Sequence, residues 1–443
     1  MIRHRLLLAV AGLVISGFTA CGGGAASQPG NSTPPPPSTF QETSSDASGT
    51  LETFSRTQVD KSGPFFGELG TNNRTCNSCH VASDGWSISP VDLQQRFQST
   101  QGKDPVFRVL DGANCPSADV STLAAATTAY SQLLNFGLIR MTLPVPANAE
   151  FSIISITDPY QCPETTATQP ALYRRPLPST NLKFLNGIMW DGREPDLKTQ
   201  ALDATMVHAA PTAPPTDAQL TQIVSLETSL FTAQSVDTLA GDLAAQGANG
   251  GPLFVSTQAF SPGINFGAGF NPNAFTLYAN WASASGSNGA AQQSVARGEV
   301  LFNTFPILIS VVPGFNDVRG GGPVTGTCTT CHNTPNVGSD SSPDMMDIGT
   351  SSPQPNLPSY VIHCNDGTQI ASTDPGRAMI TGKCADLNKV KVPGLRGLAA
   401  RPPYFHNGSA ASLLDVVNFY VQRFNMLMSD DQKADLVAFM NTL

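Results

Sequence analysis

The sequence predicts a mainly α-helical chain of two domains, with long loops and a small irregular or β insertion in the first half. Two observations carry that expectation. A pentapeptide of pattern C-x-x-C-H occurs once in each half, as Cys76-Asn77-Ser78-Cys79-His80 and as Cys328-Thr329-Thr330-Cys331-His332. It is the attachment signature of c-type haem: the two thiols bond to the haem vinyls and the histidine ligates the iron. Two covalently bound haems c are therefore expected, each in its own domain. The second observation is composition. Helical runs stand near both motifs, while 39 glycines, 35 prolines and only 13% charged residues in 443 predict a loop-rich chain whose cofactors supply part of the core.

In chain order, residues 1–21 read as an export signal. Arg3, His4 and Arg5 form a basic start, and the apolar run Leu6 to Phe18 is short for a bilayer span. Thr19-Ala20-Cys21 resembles a lipoprotein cleavage site, which would leave lipid on Cys21; plain secretion is the alternative, because Phe18 stands where a leucine is usual. Residues 22–49 read as a disordered Pro/Ser/Gly tether. The folded part is then periplasmic or on the cell surface, touching a membrane only through that lipid.

The first domain spans 50–246. Thr50 to Leu69 reads as a helix leading into the first motif, and Trp86 and Phe97 as cover for its haem. Thr122 to Ile139 and Gln219 to Phe231 read as helices, Phe151 to Ile156 as a strand, and 140–162 as an irregular insertion. Residues 247–290, rich in Gly, Asn, Ser and Pro, read as an unpacked connector. The second domain, 291–443, opens on a helix from Ala291 to Phe305, with Val295, Val300, Leu301 and Phe305 on one side. In it Gly298 permits close helix crossing. Ser429 and Gln432 form a capping box for the last helix. Ser412 and Asp415 cap another, whose Leu413, Val416, Val417 and Tyr420 share one face.

Setting aside the haem and lipid cysteines leaves Cys115, Cys162, Cys364 and Cys384. Four cysteines allow three pairings; the economical one joins Cys115 to Cys162 and Cys364 to Cys384. The formal charge of −9 argues against nucleic acid as a partner.

Three segments together resemble the bacterial di-haem cytochrome c peroxidase and MauG family. They are Arg174 to Gln200 with its Met189-Trp190-Asp191-Gly192-Arg193 core, the ordered pair of haem motifs, and Lys391 to Arg396 running into Pro403-Tyr404-Phe405-His406-Asn407-Gly408-Ser409. The resemblance implies two cytochrome c-like domains, each with a first helix crossing a last one beside the haem. It implies that Trp190 relays electrons between the haems, against the plainer alternative of a core tryptophan. Gln200 aligns with a glutamine of the first haem pocket. Arg193 and Arg396 offer forks for haem propionates or for structural ion pairs. His406 carries the family motif, as a ligand, a propionate partner or neither; His363 has no such mark.

Tyr420 aligns with the sixth ligand of the second haem, where peroxidases of the family place Met and MauG-type members place Tyr. A buried core tyrosine is the alternative, and Met426 and Met428 are rival ligands. At the first haem, Arg96 stands where the family has a capping histidine, Ala210 where it has a catalytic glutamate, and Ala204 where it has a proline. His208 is the natural replacement, as proton shuttle, as ligand or as neither. Arg175 and Arg401 stand at family calcium positions, so calcium is not expected there.

The resemblance thus implies a peroxidase that reduces hydrogen peroxide to water at the first haem. Electrons arrive through the second haem from a small donor cytochrome or cupredoxin. A MauG-like peroxide-dependent oxidase and a non-catalytic di-haem electron-transfer protein are the alternatives, and a homodimer is compatible with all three.

Overall fold

The computed structural model describes residues 39–263 and 270–443. The export segment, Cys21 and most of the proposed tether lie outside the described residues. The end of the tether does not read as expected. Phe40–Ser45 and Gly49–Ser55 form an antiparallel hairpin, and Phe231–Asp237 and Gly241–Asp242 extend it to a four-stranded sheet. The helix expected from Thr50 to Leu69 is therefore absent. Thr50, Thr53 and Phe54 favour a strand once a partner is present, and that partner comes from nearly two hundred positions away. Gly63, Pro64 and Gly67 then keep the approach to the first motif in turns.

Ser89 caps the helix Pro90–Thr100, with Pro at its first turn. The run expected as one helix over 122–139 is two, Leu123–Ala129 and Ser131–Phe136, separated at Tyr130. Gly137, at φ 61, ends the second in the left-handed conformation that favours glycine. Ile139–Thr142 then pairs with Ala171–Arg174. Phe151–Thr157 is the expected strand, and its partner Ser359–Cys364 comes from the second half of the chain, with Gln369–Ser372 beyond it. The stretch 140–162 is accordingly not irregular; it ties the two halves together. Cys115–Cys162 and Cys364–Cys384 are both disulfides. Helices cover 31% and strands 16% of the described residues, so strand is a larger part of them than the helical runs suggest.

In the second half, Gly289–Thr304 crosses the last helix, Asp430–Asn441. A Cβ on Gly298 would lie 2.0 Å from the Asp435 carbonyl oxygen, so glycine is what allows the approach. The buried face is Val295, Ala296, Glu299 and Phe302; Val300, expected inside, is 58% exposed. The 247–290 stretch is not an unpacked connector either. It supplies the helix Pro252–Thr257 and buries Phe275, Tyr278 and Trp281 against the crossing helices. Glu299 holds it there by accepting the amides of Leu277 and Tyr278 at 2.9 and 2.7 Å.

Among the described residues, no helix is long and apolar enough to cross a membrane.

Candidate active site

Both C-x-x-C-H motifs fold into the same local structure. A threonine, Thr75 or Thr327, caps a short 3-10 turn reciprocally with Ser78 or Thr330. The histidine amide then donates to the first cysteine's carbonyl, at 3.0 Å in each motif. Each imidazole donates Nδ1–H to the carbonyl six residues on: His80 to Trp86 at 3.0 Å, His332 to Gly338 at 2.6 Å. That bond fixes the tautomer and leaves Nε2 free to ligate a metal. Burial keeps His80 neutral by lowering its pKa, and pushes His332 down to about 4. The four thiols are unpaired, and burial pushes Cys76 and Cys328 up to about 12. Trp86, expected to cover the haem, stands behind His80, its indole donating to Thr53 on the unexpected strand at 2.8 Å.

A cavity enclosing about 1830 Å³ of free space, part of it open to solvent, brings together Cys76, Cys79, His80, Trp190, Arg193, Gln200, His208 and Arg396. Its walls also carry Arg175, Lys391 and Arg401. Burial pushes Lys391 down to about 8 and Arg396 to about 10. Among the described residues, none of Arg175, Lys391, Arg396 and Arg401 has a carboxylate in ion-pair range. Arg396 spends only Nε, on the Asn336 carbonyl at 2.6 Å; both terminal nitrogens are buried without a partner. Buried cations need an anion. Cys76 and Cys79 would hold a haem covalently, His80 would ligate its iron and the orphaned Arg396 guanidinium would take a propionate, so the residues fit the group.

Arg193 is spent differently. It pairs with Asp191 at 2.9 Å, and Asp191 also binds Arg174, which binds Asp374 of the second half at 2.6 Å. Arg175 and Arg401 donate mainly to main-chain carbonyls, Phe136 and Ile88 for the first and Gly397 and Arg396 for the second.

His208 lies on a π-helical turn, Thr205–Ala209, that continues the helix Leu197–Ala204 carrying Gln200. Its Nδ1 is 2.6 Å from Asp111 Oδ2. Asp111 is itself held by Arg74 at 2.6 Å, and both are buried. Burial opposes ionisation of Asp111, but the His208 hydrogen bond and the Arg74 charge outweigh it and lower its pKa. Asp111 and Arg74 carried no signal in the sequence, because their partnership is set by loops far apart in the chain. Glu227, on the helix Asp217–Ser229, is a third residue that went unread. It lines the same cavity, burial alone pushes its carboxyl up to about 8, and Oε2 has no partner.

The cavity does not take in Cys328, Cys331, His332, Tyr420 or His406. His406 is 1% exposed with neither ring nitrogen hydrogen-bonded, 3.7 Å from Asp374, and its ring meets that of Trp190. The Trp190 indole donates to the Arg175 carbonyl at 2.8 Å. Tyr420 sits on Leu413–Arg423, capped by Ser412 and Asp415 as expected, and packs, as do Cys328 and Cys331, against the buried cluster of Ile307, Ile309, Phe315 and Met346. Burial, and then those two thiols, push its phenol up. Met426 and Met428 share that cluster, and Met346, absent from the sequence reading, has its sulfur 3.7 Å from Cys331 Sγ.

No family model matches this chain. Curated relatives do. The chain is 33% identical over 131 residues to a cytochrome c551 peroxidase of Nitrosomonas europaea, covering 29% of this chain and 33% of that one. It is 32% identical over 138 residues to the cytochrome-c peroxidase IdrP2 of Denitromonas iodatirespirans, covering 27% and 36%. It is 33% identical over 76 residues to the cytochrome c peroxidase Ccp of Escherichia coli, covering 17% and 16%. The matched stretches thus span about a third of the first two relatives, and over them this chain is similar to proteins named cytochrome c peroxidase.

Proposed function

We propose that this chain is a di-haem c-type oxidoreductase that reduces hydrogen peroxide to water at the first haem. Electrons come from a small periplasmic donor protein through the second haem. The carrying observation is that one cavity holds the free edge of His80, the His208–Asp111 pair and Trp190. When bound, the haem iron supplies the site for peroxide and the means of accepting electrons. The rest is done by side chains. His208 takes a proton from hydrogen peroxide at Nε2 and returns it to the departing oxygen, which leaves as water. Two electrons from the donor and two further protons from solvent convert the remaining oxygen to a second water. Gln200 offers a neutral amide to orient peroxide from the cavity wall. Arg396 anchors a propionate, and Trp190 and His406 line the way towards the second motif.

The support is the motif pair, the fit of the cavity and the partial similarity to named peroxidases. A second reading, a MauG-like peroxide-dependent oxidase of a protein or organic substrate, is favoured by Tyr420 sharing one cluster with the second motif's cysteines, close enough for the thiols to push its phenol up. Steady-state assays with a reduced small cytochrome and peroxide separate the two. Rapid oxidation of the cytochrome supports the peroxidase; slow oxidation of the cytochrome, with peroxide-dependent oxidation of an added organic substrate, supports the oxidase. His208→Gln is expected to lower peroxide turnover about a hundredfold, the ordinary worth of a positioned acid–base group.

A further inference from the structure

The position that aligns with the family's glutamate holds Ala210, yet a proton-carrying side chain still reaches the cavity. The reason is local. After Leu197–Ala204 the chain makes the π turn Thr205–Ala209, and Ala210 then turns left-handed at φ 49. A π turn changes which residue faces a given direction and is costly unless something holds it. What holds it is the segment just ahead of the first haem motif. A Cβ on Gly70 would lie 1.8 Å from the Ala209 carbonyl oxygen, so only glycine lets the strands of chain touch. Thr71 donates its amide to Ala209 at 3.1 Å and its hydroxyl to Ala210 at 2.7 Å. Asn72 Nδ2 donates to the His208 carbonyl at 2.7 Å. Arg74, two residues before Cys76, reaches that same carbonyl at 3.4 Å and Asp111 at 2.6 Å.

We propose that Asp111, fixed by Arg74, is the positioning residue for His208: it holds Nδ1 protonated, so that Nε2 is the basic nitrogen available to substrate. A carboxylate has no proton to give, so the 2.6 Å contact is Nδ1–H donating to Asp111. Asp111 is 3% exposed and Arg74 3%, whereas the His208 side chain is 41% exposed, so the ring is anchored at its buried edge and wet at the other. That wet edge gives the base an exchange route to solvent for the protons that peroxide reduction consumes. The inference rests on the peroxide-reducing reading above.

The test uses the holoprotein and two readouts. Carbon monoxide bound to the ferrous first haem reports on its neighbour through the C–O stretch, which falls when a hydrogen bond is donated to it. At alkaline pH, with the ring neutral, the tautomer that Asp111 selects leaves Nε2 without a proton, and the stretch is high. In Asp111→Asn the side-chain amide can donate to Nδ1, the tautomer reverses, Nε2–H donates to the carbonyl ligand, and the stretch falls. Asp111→Glu keeps the charge and the native stretch, and serves where the Asn variant does not mature with both haems. Peroxide turnover falls roughly tenfold or more in Asp111→Asn, and the double variant with His208→Gln is no slower than His208→Gln alone, because the carboxylate acts through the ring. An unshifted stretch in Asp111→Asn, a shift in Asp111→Glu, or losses that add in the double variant would each overturn the assignment. A first haem that binds no carbon monoxide would overturn the peroxide-reducing reading itself.

Discussion

Trp190 and His406 meet edge to face, with ring centroids 6.0 Å apart and planes at 62°. One ring lines the first haem cavity; the other is buried in the second half beside Asp374 and outside that cavity. The ring pair is one contact between the cavity wall and the second half's Tyr404-Phe405-His406-Asn407-Gly408-Ser409 segment; the Arg175 amide, donating to the His406 carbonyl at 2.7 Å, is another.

Replacing Trp190 with Phe tests that contact as an electron route. Phenylalanine retains most of the buried ring but is much harder to oxidise, and it abandons the bond to the Arg175 carbonyl. Electron transfer between the haems is expected to slow by about tenfold, a barrier increase of about 1.4 kcal/mol. Stopped-flow mixing of reduced protein with peroxide measures it. Unchanged transfer in a variant with native haem spectra would mean Trp190 is a packing residue.

Tyr420→Phe tests the second haem. The phenol shares one cluster with Cys328 and Cys331 and is the sixth ligand proposed for the second iron, so removing its oxygen should turn that haem high-spin by EPR. Tyr420→Met should restore a low-spin haem with a raised potential, since thioether ligation favours the ferrous state. A low-spin signal that survives Tyr420→Phe would point to Met426, Met428 or Met346 instead.

Glu227 gives a stability prediction with a definite sign. Its ordinary pKa of 4.5 is raised by burial to about 8 in the folded chain. Between those values the folded state binds more protons than the unfolded one, so stability is lost as pH rises through that window. Glu227→Gln removes the loss. The variant should gain on the native protein from pH 5 to pH 8, by at most about 1.4 kcal/mol per unit. Thermal melts across that range measure the difference; parallel curves would contradict it.

Gly298→Ala tests the helix crossing. The added methyl would meet the Asp435 carbonyl at 2.0 Å and the Phe439 Cβ at 2.6 Å, and both lie on the opposing helix. A loss of about 1–3 kcal/mol is expected. Ala296→Gly, on the same helix, loses helix propensity and a small buried methyl without any clash, and calibrates the experiment.

What could be read from the chain alone was what local chemistry determines. The C-x-x-C-H turns, the Ser412 and Ser429 caps, and the strand at Phe151 depend on residues a few positions apart. Both disulfides followed from pairing within each half. The larger failures are mostly long-range. Gly49–Ser55 is a strand because Phe231–Asp237 pairs with it, and nothing near Thr50 announces that partner. Phe275, Tyr278 and Trp281 did announce themselves, as three aromatics within seven residues, but glycine and asparagine around them outweighed the signal. His208 was visible as the histidine nearest an empty family position. Asp111, Arg74 and Glu227 were not, because the contacts that make them part of the site join segments that lie apart in sequence.

The central claim is that the two haems are unequal, the first open to peroxide and the second closed by Tyr420. EPR of the resting ferric protein tests it most directly. One high-spin signal, lost on adding cyanide, beside one low-spin signal that is lost in Tyr420→Phe, is the predicted result. Two low-spin signals in the resting protein, one of them lost in His208→Gln, would show His208 ligating the first iron and would contradict the account.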